Sequence, residues 1–307
     1  MAMFRSILLA LGSTLLSGAA LAQQPVDLGP KAFPESLDVG KDGTLYIGSI
    51  ANGTVLRAAP GAARADVWIA KDKGKLSGVL GVVVDETRDN LWVCSSDVSR
   101  AGEPVSLKNF DLKAGVLKAD YPFPDGKGFC NDIAIAKDGT LYATDTPGAL
   151  IYRLPVGGTK LEPWLKDQRL EGIDGIAFGS DDRMYVNNIR TNEHYRIEVK
   201  RDGGSGEISP IATSRPVEGP DGMRPTGDGR FVIAENRGGR VSVATVEGDT
   251  LKIETIKEGF DNPPAVAVHG NTVWVIEAKS KYRNNPEFKD KDPGPFMATP
   301  VPLPAKK

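Results

Sequence analysis

Four side chains with oxygen donors hold corresponding places along the chain: Glu35, Asn131, Asp174 and Asp221. Each opens a short apolar segment, and each segment runs into a turn followed by a second apolar segment. The fullest version is Glu218-Gly-Pro-Asp-Gly-Met-Arg-Pro-Thr-Gly-Asp-Gly-Arg-Phe-Val-Ile-Ala-Glu-Asn236. Three carboxylates and an amide meeting at one point would repel one another unless neutralised. A hard divalent cation does that, and carboxylate and amide oxygens suit Ca²⁺ best, with Zn²⁺, Mn²⁺ and Mg²⁺ as other candidates. Taken singly, these residues are ordinary, since an Asp before Gly usually caps its own turn and Glu35 would be a solvated loop charge. The shared register sets them apart.

The elements that would position them repeat. Six second segments, Leu45-Tyr-Ile-Gly-Ser49, Leu91-Trp-Val-Cys-Ser95, Leu141-Tyr-Ala-Thr-Asp145, Met184-Tyr-Val-Asn-Asn188, Phe231-Val-Ile-Ala-Glu235 and Val273-Trp-Val-Ile-Glu277, follow one another at steps of 46, 50, 43, 47 and 42 residues. A period of that length with several strands per unit indicates propeller blades. Asp42-Gly43, Asp138-Gly139 and Asp228-Gly229 mark the turns and predict two-residue hairpin loops, with Asp89-Asn90 and Gly270-Asn271 in the same slot. Third strands are legible at Thr54–Arg57, Leu150–Arg153, Tyr195–Glu198 and Arg240–Val243. Fourth strands are weaker, at Asp66–Ile69, Leu161–Leu165 and Leu251–Ile256. The chain therefore predicts an all-β fold, a six-bladed propeller of four-stranded antiparallel blades spanning 23–282. A strand near Val26–Leu28 is expected to complete the last blade. The first strand of each blade lines the axis, so the four donors converge there. The second unit offers Gly81 and the sixth Pro263-Pro264 in that place, and neither is a ligand.

Residues 1–22 read as a secretory signal peptide: Arg5, an apolar run softened by Gly and Ser, then Ala20-Leu-Ala22 before Gln23. The run is too short to span a bilayer. An exported, periplasmic or extracellular protein follows, free of the membrane once cleaved. The balance of 38 basic against 40 acidic residues, without like-charge runs, gives no argument for a nucleic-acid partner; a monomer acting on a small-molecule partner is expected. Cys94 and Cys130 fall in consecutive repeats, and two readings stand: a disulfide, or two buried thiols. His194 and His269 lie in loops and are expected at the surface. No G-x-S-x-G elbow accompanies them, which argues against a Ser-His-Asp nucleophile. Residues 283–307 are rich in Pro (Pro286, Pro293, Pro295, Pro300, Pro302, Pro304) and read as an extended surface tail, or as a cap on one end of the ring.

Pro34-Glu-Ser36, Cys130-Asn-Asp132, Ile173-Asp-Gly-Ile176 and Gly219-Pro-Asp-Gly-Met223 together resemble the motifs of the gluconolactonase / senescence marker protein / luciferin-regenerating enzyme family of six-bladed propellers. The resemblance spans everything but the leader and the tail. It implies a divalent metal in the channel, held by Glu35, Asn131, Asp174 and Asp221, and often hydrolysis of a lactone or related ester. Asp174 stands where that family usually has Asn, and the residues that hold a sugar acid in its best-known members have no clear counterpart. The expected function is thus metal-dependent hydrolysis of small lactones or esters, with Asp221 as base and Asp174 as the alternate. The competing expectation is a non-catalytic exported propeller in which the cation only rigidifies the ring.

Overall fold

The computed structural model describes residues 23–306; the signal-peptide expectation for residues 1–22 lies outside the described residues. Alternation of apolar and polar residues, broken by Gly and Asp turns, makes nearly every element a strand. In chain order these are β1 (Val26–Asp27), β2 (Pro34–Val39), β3 (Leu45–Ser49), β4 (Thr54–Ala58), β5 (Asp66–Ile69), β6 (Gly78–Asp85), β7 (Asn90–Ser96), β8 (Ser106–Asp111) and β9 (Leu117–Pro122). There follow β10 (Cys130–Ile135), β11 (Leu141–Asp145), β12 (Leu150–Leu154), β13 (Glu162–Lys166), β14 (Ile173–Phe178), β15 (Met184–Asn188), β16 (His194–Val199) and β17 (Ser205–Thr213). The last are β18 (Pro220–Pro225), β19 (Arg230–Glu235), β20 (Arg240–Glu247), β21 (Thr250–Glu258), β22 (Val266–His269), β23 (Thr272–Ile276) and β24 (Met297–Pro302). Two four-residue helices, α1 (Lys71–Gly74) and α2 (Lys281–Asn284), sit in loops.

Consecutive strands pair antiparallel into four-stranded sheets: β2–β5, β6–β9, β10–β13, and β22, β23, β24 with β1. A fifth sheet has eight strands, because the quartets β14–β17 and β18–β21 touch at their outer edges through two parallel pairs, Ala212↔Thr250 and Thr213↔Leu251. The first strands pack in a closed cycle, β2 on β6, β6 on β10, β10 on β14, β14 on β18, β18 on β22 and β22 on β2. Six buried apolar clusters fill the gaps between neighbouring quartets. One joins Leu37 and Ile47 to Trp274, Ile276 and Phe296, and another joins Trp92 and Leu107 to Ile133 and Tyr152. The second cluster contains the Cys94–Cys130 disulfide, whose Cα atoms are 5.1 Å apart and which ties β7 to β10.

Three sequence expectations are corrected. The hairpin loops are three residues long: Gly40 N–H bonds Thr44 O, Ala136 N–H bonds Thr140 O and Thr226 N–H bonds Arg230 O, at 2.9, 2.9 and 3.0 Å. Only the Gly of each Asp-Gly pair has positive φ, as at Gly43 (89°) and Gly139 (95°), which suits a turn closed by one left-handed residue. The Asp instead accepts a hydrogen bond from the backbone two residues on, Thr44 N–H to Asp42 and Thr140 N–H to Asp138, both 2.8 Å.

The Pro-rich segment past residue 282 is no surface tail, because it supplies β24, which lies between β23 and β1. Pro300 and Pro302 alternate, so their missing N–H groups face one side of the strand. That side is open there, since β1 pairs only with Met297 and Ala298, while Leu303 N–H on the other side bonds Asn271 O at 2.8 Å. His194, expected at the surface, is 3% exposed, because it opens β16 opposite Asn187 and Ile211.

Candidate metal and catalytic site

A local irregularity aims the donors inward. Each first strand of the first five repeats loses register with its partner at one point: between Pro34 and Ser36, Val79 and Val82, Cys130 and Ile133, Ile173 and Ile176, and Pro220 and Met223. Glu35, Asn131, Asp174 and Asp221 all lie inside these breaks. A bulge leaves residues unpaired and bends the strand, which turns their side chains toward the axis. Small residues permit the close approach that results. A Cβ on Gly222 would lie 2.9 Å from the Pro264 carbonyl oxygen, and one on Gly175 would collide with the carbonyl of Asp221.

The four donors share one narrow cavity with room of about 10 Å³ for the centre of a water-sized occupant. Leu80, Gly81, Pro264 and Ala265 line it where the second and sixth repeats contribute no donor. Asp174 and Asp221 are neighbours in this cavity, near enough to shift each other's ionisation, and Asn131 lies beside Asp174. Burial raises the Asp174 pKa to about 7, helped by the charges of Asp132 and Glu35. Burial likewise pushes Asp221 well up, with the Asp174 and Glu35 charges adding to it. Glu35 is raised by burial too, opposed by the guanidinium of Arg283.

Further contacts fix the donors. Asn131 Nδ2 donates to Thr146 Oγ1 at 2.9 Å, so the amide oxygen is the atom it would offer to a cation. Asn236 Nδ2 donates to Asp221 Oδ2 at 2.9 Å. Below the cavity Arg224 grips Asp132 with two bonds of 2.8 Å, Nη1 to Oδ2 and Nη2 to Oδ1. Both residues are buried and line this cavity, and Arg224 also lines the next one, so the pair stands as a floor between the two. On its far side a separate cavity of about 250 Å³ is lined by Asp38, Arg224, Val83, Ile135 and Phe178.

The donor chemistry fits a divalent cation, with one amide oxygen and three carboxyl groups, two of which, Asp174 and Asp221, are neighbours whose pKa values are raised by burial. Among the described residues, however, no group of three or more His, Cys, Asp or Glu closes to metal-holding spacing. Sequence reasoning missed Arg224, Asp132, Asn236 and Arg283. Asp132 follows Asn131 directly and Arg224 follows Met223, but only the fold reveals that residues 92 positions apart meet. His194 and His269 stay outside the cavity, and His269 Nε2 meets Lys41 O at 3.1 Å.

Comparison with known proteins bears on the fold and the family. No curated protein matches the chain. Among solved structures, a luciferin-regenerating enzyme superposes with a TM-score of 0.69 at 15% identity, covering 91% of this chain and 95% of that one. The calcium-binding protein regucalcin from Agrobacterium tumefaciens gives 0.67 at 16% identity, covering 93% and 96%. A gluconolactonase from Xanthomonas campestris gives 0.61 at 19%, also covering 93% and 96%. At these identities the likeness shows the fold alone. The sequence family described as SMP-30/gluconolactonase/LRE-like matches residues 33–273, from just before Glu35 to the start of β23. The chain belongs to the SMP-30/gluconolactonase/LRE-like family.

Proposed function

We propose that this protein is an exported, metal-dependent hydrolase of small lactones or esters built on a six-bladed propeller. The eight-stranded sheet then counts as two blades joined at their rims, and the closed cycle of six first strands supports that count. The observation that carries the functional reading is the buried Asp174–Asp221 pair with Glu35 and Asn131 in one small cavity. Glu35, Asn131, Asp174 and Asp221 would hold the cation, Ca²⁺ by donor chemistry. When bound, such a cation supplies stabilisation of the negative charge that develops on a carbonyl oxygen.

The chain's own groups do the rest. Asp221 takes the proton of the attacking water, since burial and the neighbouring carboxylates make it a stronger base than an exposed aspartate. Asn236 holds its Oδ2, which leaves Oδ1 for the water. Asp174 is the alternate base. The Arg224–Asp132 floor blocks the axis below, so substrate and water arrive from the opposite face.

A leader at residues 1–22 would direct export to the periplasm or the medium, and the Cys94–Cys130 disulfide supports that reading because such bonds persist in oxidising compartments. A second reading, a non-catalytic binding propeller with a structural cation, has behind it the absence of a tight trio of ligands among the described residues. The test is a panel of aldono- and acyl-lactones and aryl esters assayed with Ca²⁺ and with chelator, alongside calorimetric Ca²⁺ titration. Hydrolysis that chelator abolishes is expected. Ca²⁺ binding without hydrolysis of any substrate would transfer the assignment to the binding propeller.

A further inference from the structure

The connection from β23 to β24, residues 277–296, is the longest between neighbouring strands of one sheet, and it leaves from the end of the ring where the donors open. β23 ends at Ile276, and its neighbour Val275 pairs with Val266, directly after the cavity-lining Pro264 and Ala265. Hydrogen bonds then lace this connection to the site. Ser280 Oγ donates to Asn262 Oδ1 at 2.9 Å, Asn262 Nδ2 to Asn236 Oδ1 at 3.3 Å, and Asn236 Nδ2 to Asp221 Oδ2 at 2.9 Å. Ala278 N–H and Lys279 N–H bond Asn262 O and Asp261 O, and Lys281 pairs with Asp261 at 2.9 Å. Helix α2, which follows Ser280, is thereby held at the cavity rim, and Arg283 lies on it.

Arg283 is unusual in two respects. Its Nε donates to Asn284 Oδ1 at 3.1 Å, but Nη1 is buried and has no hydrogen-bond partner. A buried donor left unmade costs free energy that a ligand acceptor would recover. Its charge also acts on the buried carboxyl of Glu35, one of the four donors. A cation held by Glu35 would occupy that carboxylate and leave the guanidinium with an unpaired donor at Nη1. Guanidinium forks match carboxylates better than any other group of comparable size.

We propose that Arg283 is a specificity-determining residue that binds a free carboxylate on the substrate, so that the site prefers lactones bearing an anionic group beside the ring. This rests on reading the cavity as a lactone-hydrolysing site, and it narrows that reading to a substrate class. The neutral lactone and the carboxylated lactone share every contact with the donors, and only the second supplies the acceptor that Arg283 lacks.

The test uses the full chain with saturating Ca²⁺ and two unreactive open-chain acids, D-gluconate and D-glucarate, which differ by one terminal carboxylate. Isothermal titration should show glucarate binding at least tenfold more tightly than gluconate. Arg283→Met should remove that preference, and Arg283→Lys should keep a part of it, as a point charge without the fork. Should Arg283→Met fold poorly, a reduced preference in Arg283→Lys carries the same conclusion. Equal binding of both acids, no binding of either, or an undiminished preference in the variants overturns the proposal. Lactone hydrolysis by the wild type is measured in parallel, so that the two readings part. Hydrolysis without carboxylate preference removes Arg283 and leaves the activity, whereas preference without hydrolysis keeps the anion contact and removes the activity.

Discussion

Lowering the pH should weaken this fold through one buried histidine. His194 is 3% exposed, and neither ring nitrogen has a hydrogen-bond partner. Burial lowers its pKa from 6.5 to about 4, against the opposing influence of the Asn192 backbone and the Glu235 charge. The folded protein therefore binds this proton less readily than the unfolded chain. As pH falls below 6.5, protonation accumulates on the unfolded side, and the loss is complete once pH passes below about 4. A shift from 6.5 to about 4 corresponds to roughly 3 kcal/mol.

Other groups titrate in acid as well. Asp174 shifts the opposite way, and Asp167, held down to about 2 by its Arg169 hydrogen bond, responds at lower pH. Comparison with His194→Leu isolates the histidine, because Leu fills a similar volume and forfeits no hydrogen bond. Urea unfolding of both proteins from pH 7.5 to 4 should give stabilities that diverge by about 3 kcal/mol across that window, with the variant losing less. Parallel pH profiles would refute the assignment of a neutral, desolvated ring.

Replacing Cys94 and Cys130 with Ala opens a loop of 36 residues and should cost about 4 kcal/mol by chain entropy, read as a lower urea midpoint; an unchanged midpoint would exclude a stabilising role. Arg224→Met leaves Asp132 buried and unpaired, and the penalty expected is about 3–5 kcal/mol, measured by the same titration. Asp221→Asn should lower kcat on a lactone by roughly a hundredfold while retaining much of the metal affinity. Asp174→Asn should be tolerated if that residue only ligates, and a comparable fall in kcat would instead make it the base.

The second strands and their turns were legible because one apolar-aromatic pattern recurs at a narrow range of steps, and repetition averages out local ambiguity. The meeting of Glu35, Asn131, Asp174 and Asp221 in one cavity was legible for the same reason, since they share one place in that pattern. The turn length was misread because Asp-Gly serves both two- and three-residue loops, and the closing pairs, such as Gly40 with Thr44, depend on strand register. β24 was hidden by its prolines, which a rule about interior strands rejects. They fit only because β1 covers two of its residues and leaves the rest of that edge free. Arg224, Asp132 and Arg283 carry no local signature at all. Their meaning comes from proximity across the ring, which no spacing along the chain encodes.

The sheet in which β1 joins β24 couples Val26 to Ala298, among the most distant positions of the described chain. During synthesis the other quartets can assemble from contiguous segments as they emerge, but this one cannot finish until residues near 300 are made. The ring therefore has a seam, fastened last and held by a β1 edge only two residues long, with Leu28 N–H on Phe296 O at 2.9 Å extending it. Loop-closure entropy makes such a pairing slow to form. Opening at the seam would free the Glu35-bearing quartet from its Pro264 neighbour and widen the axis, so the same edge that completes folding also governs how rigidly the donors are held.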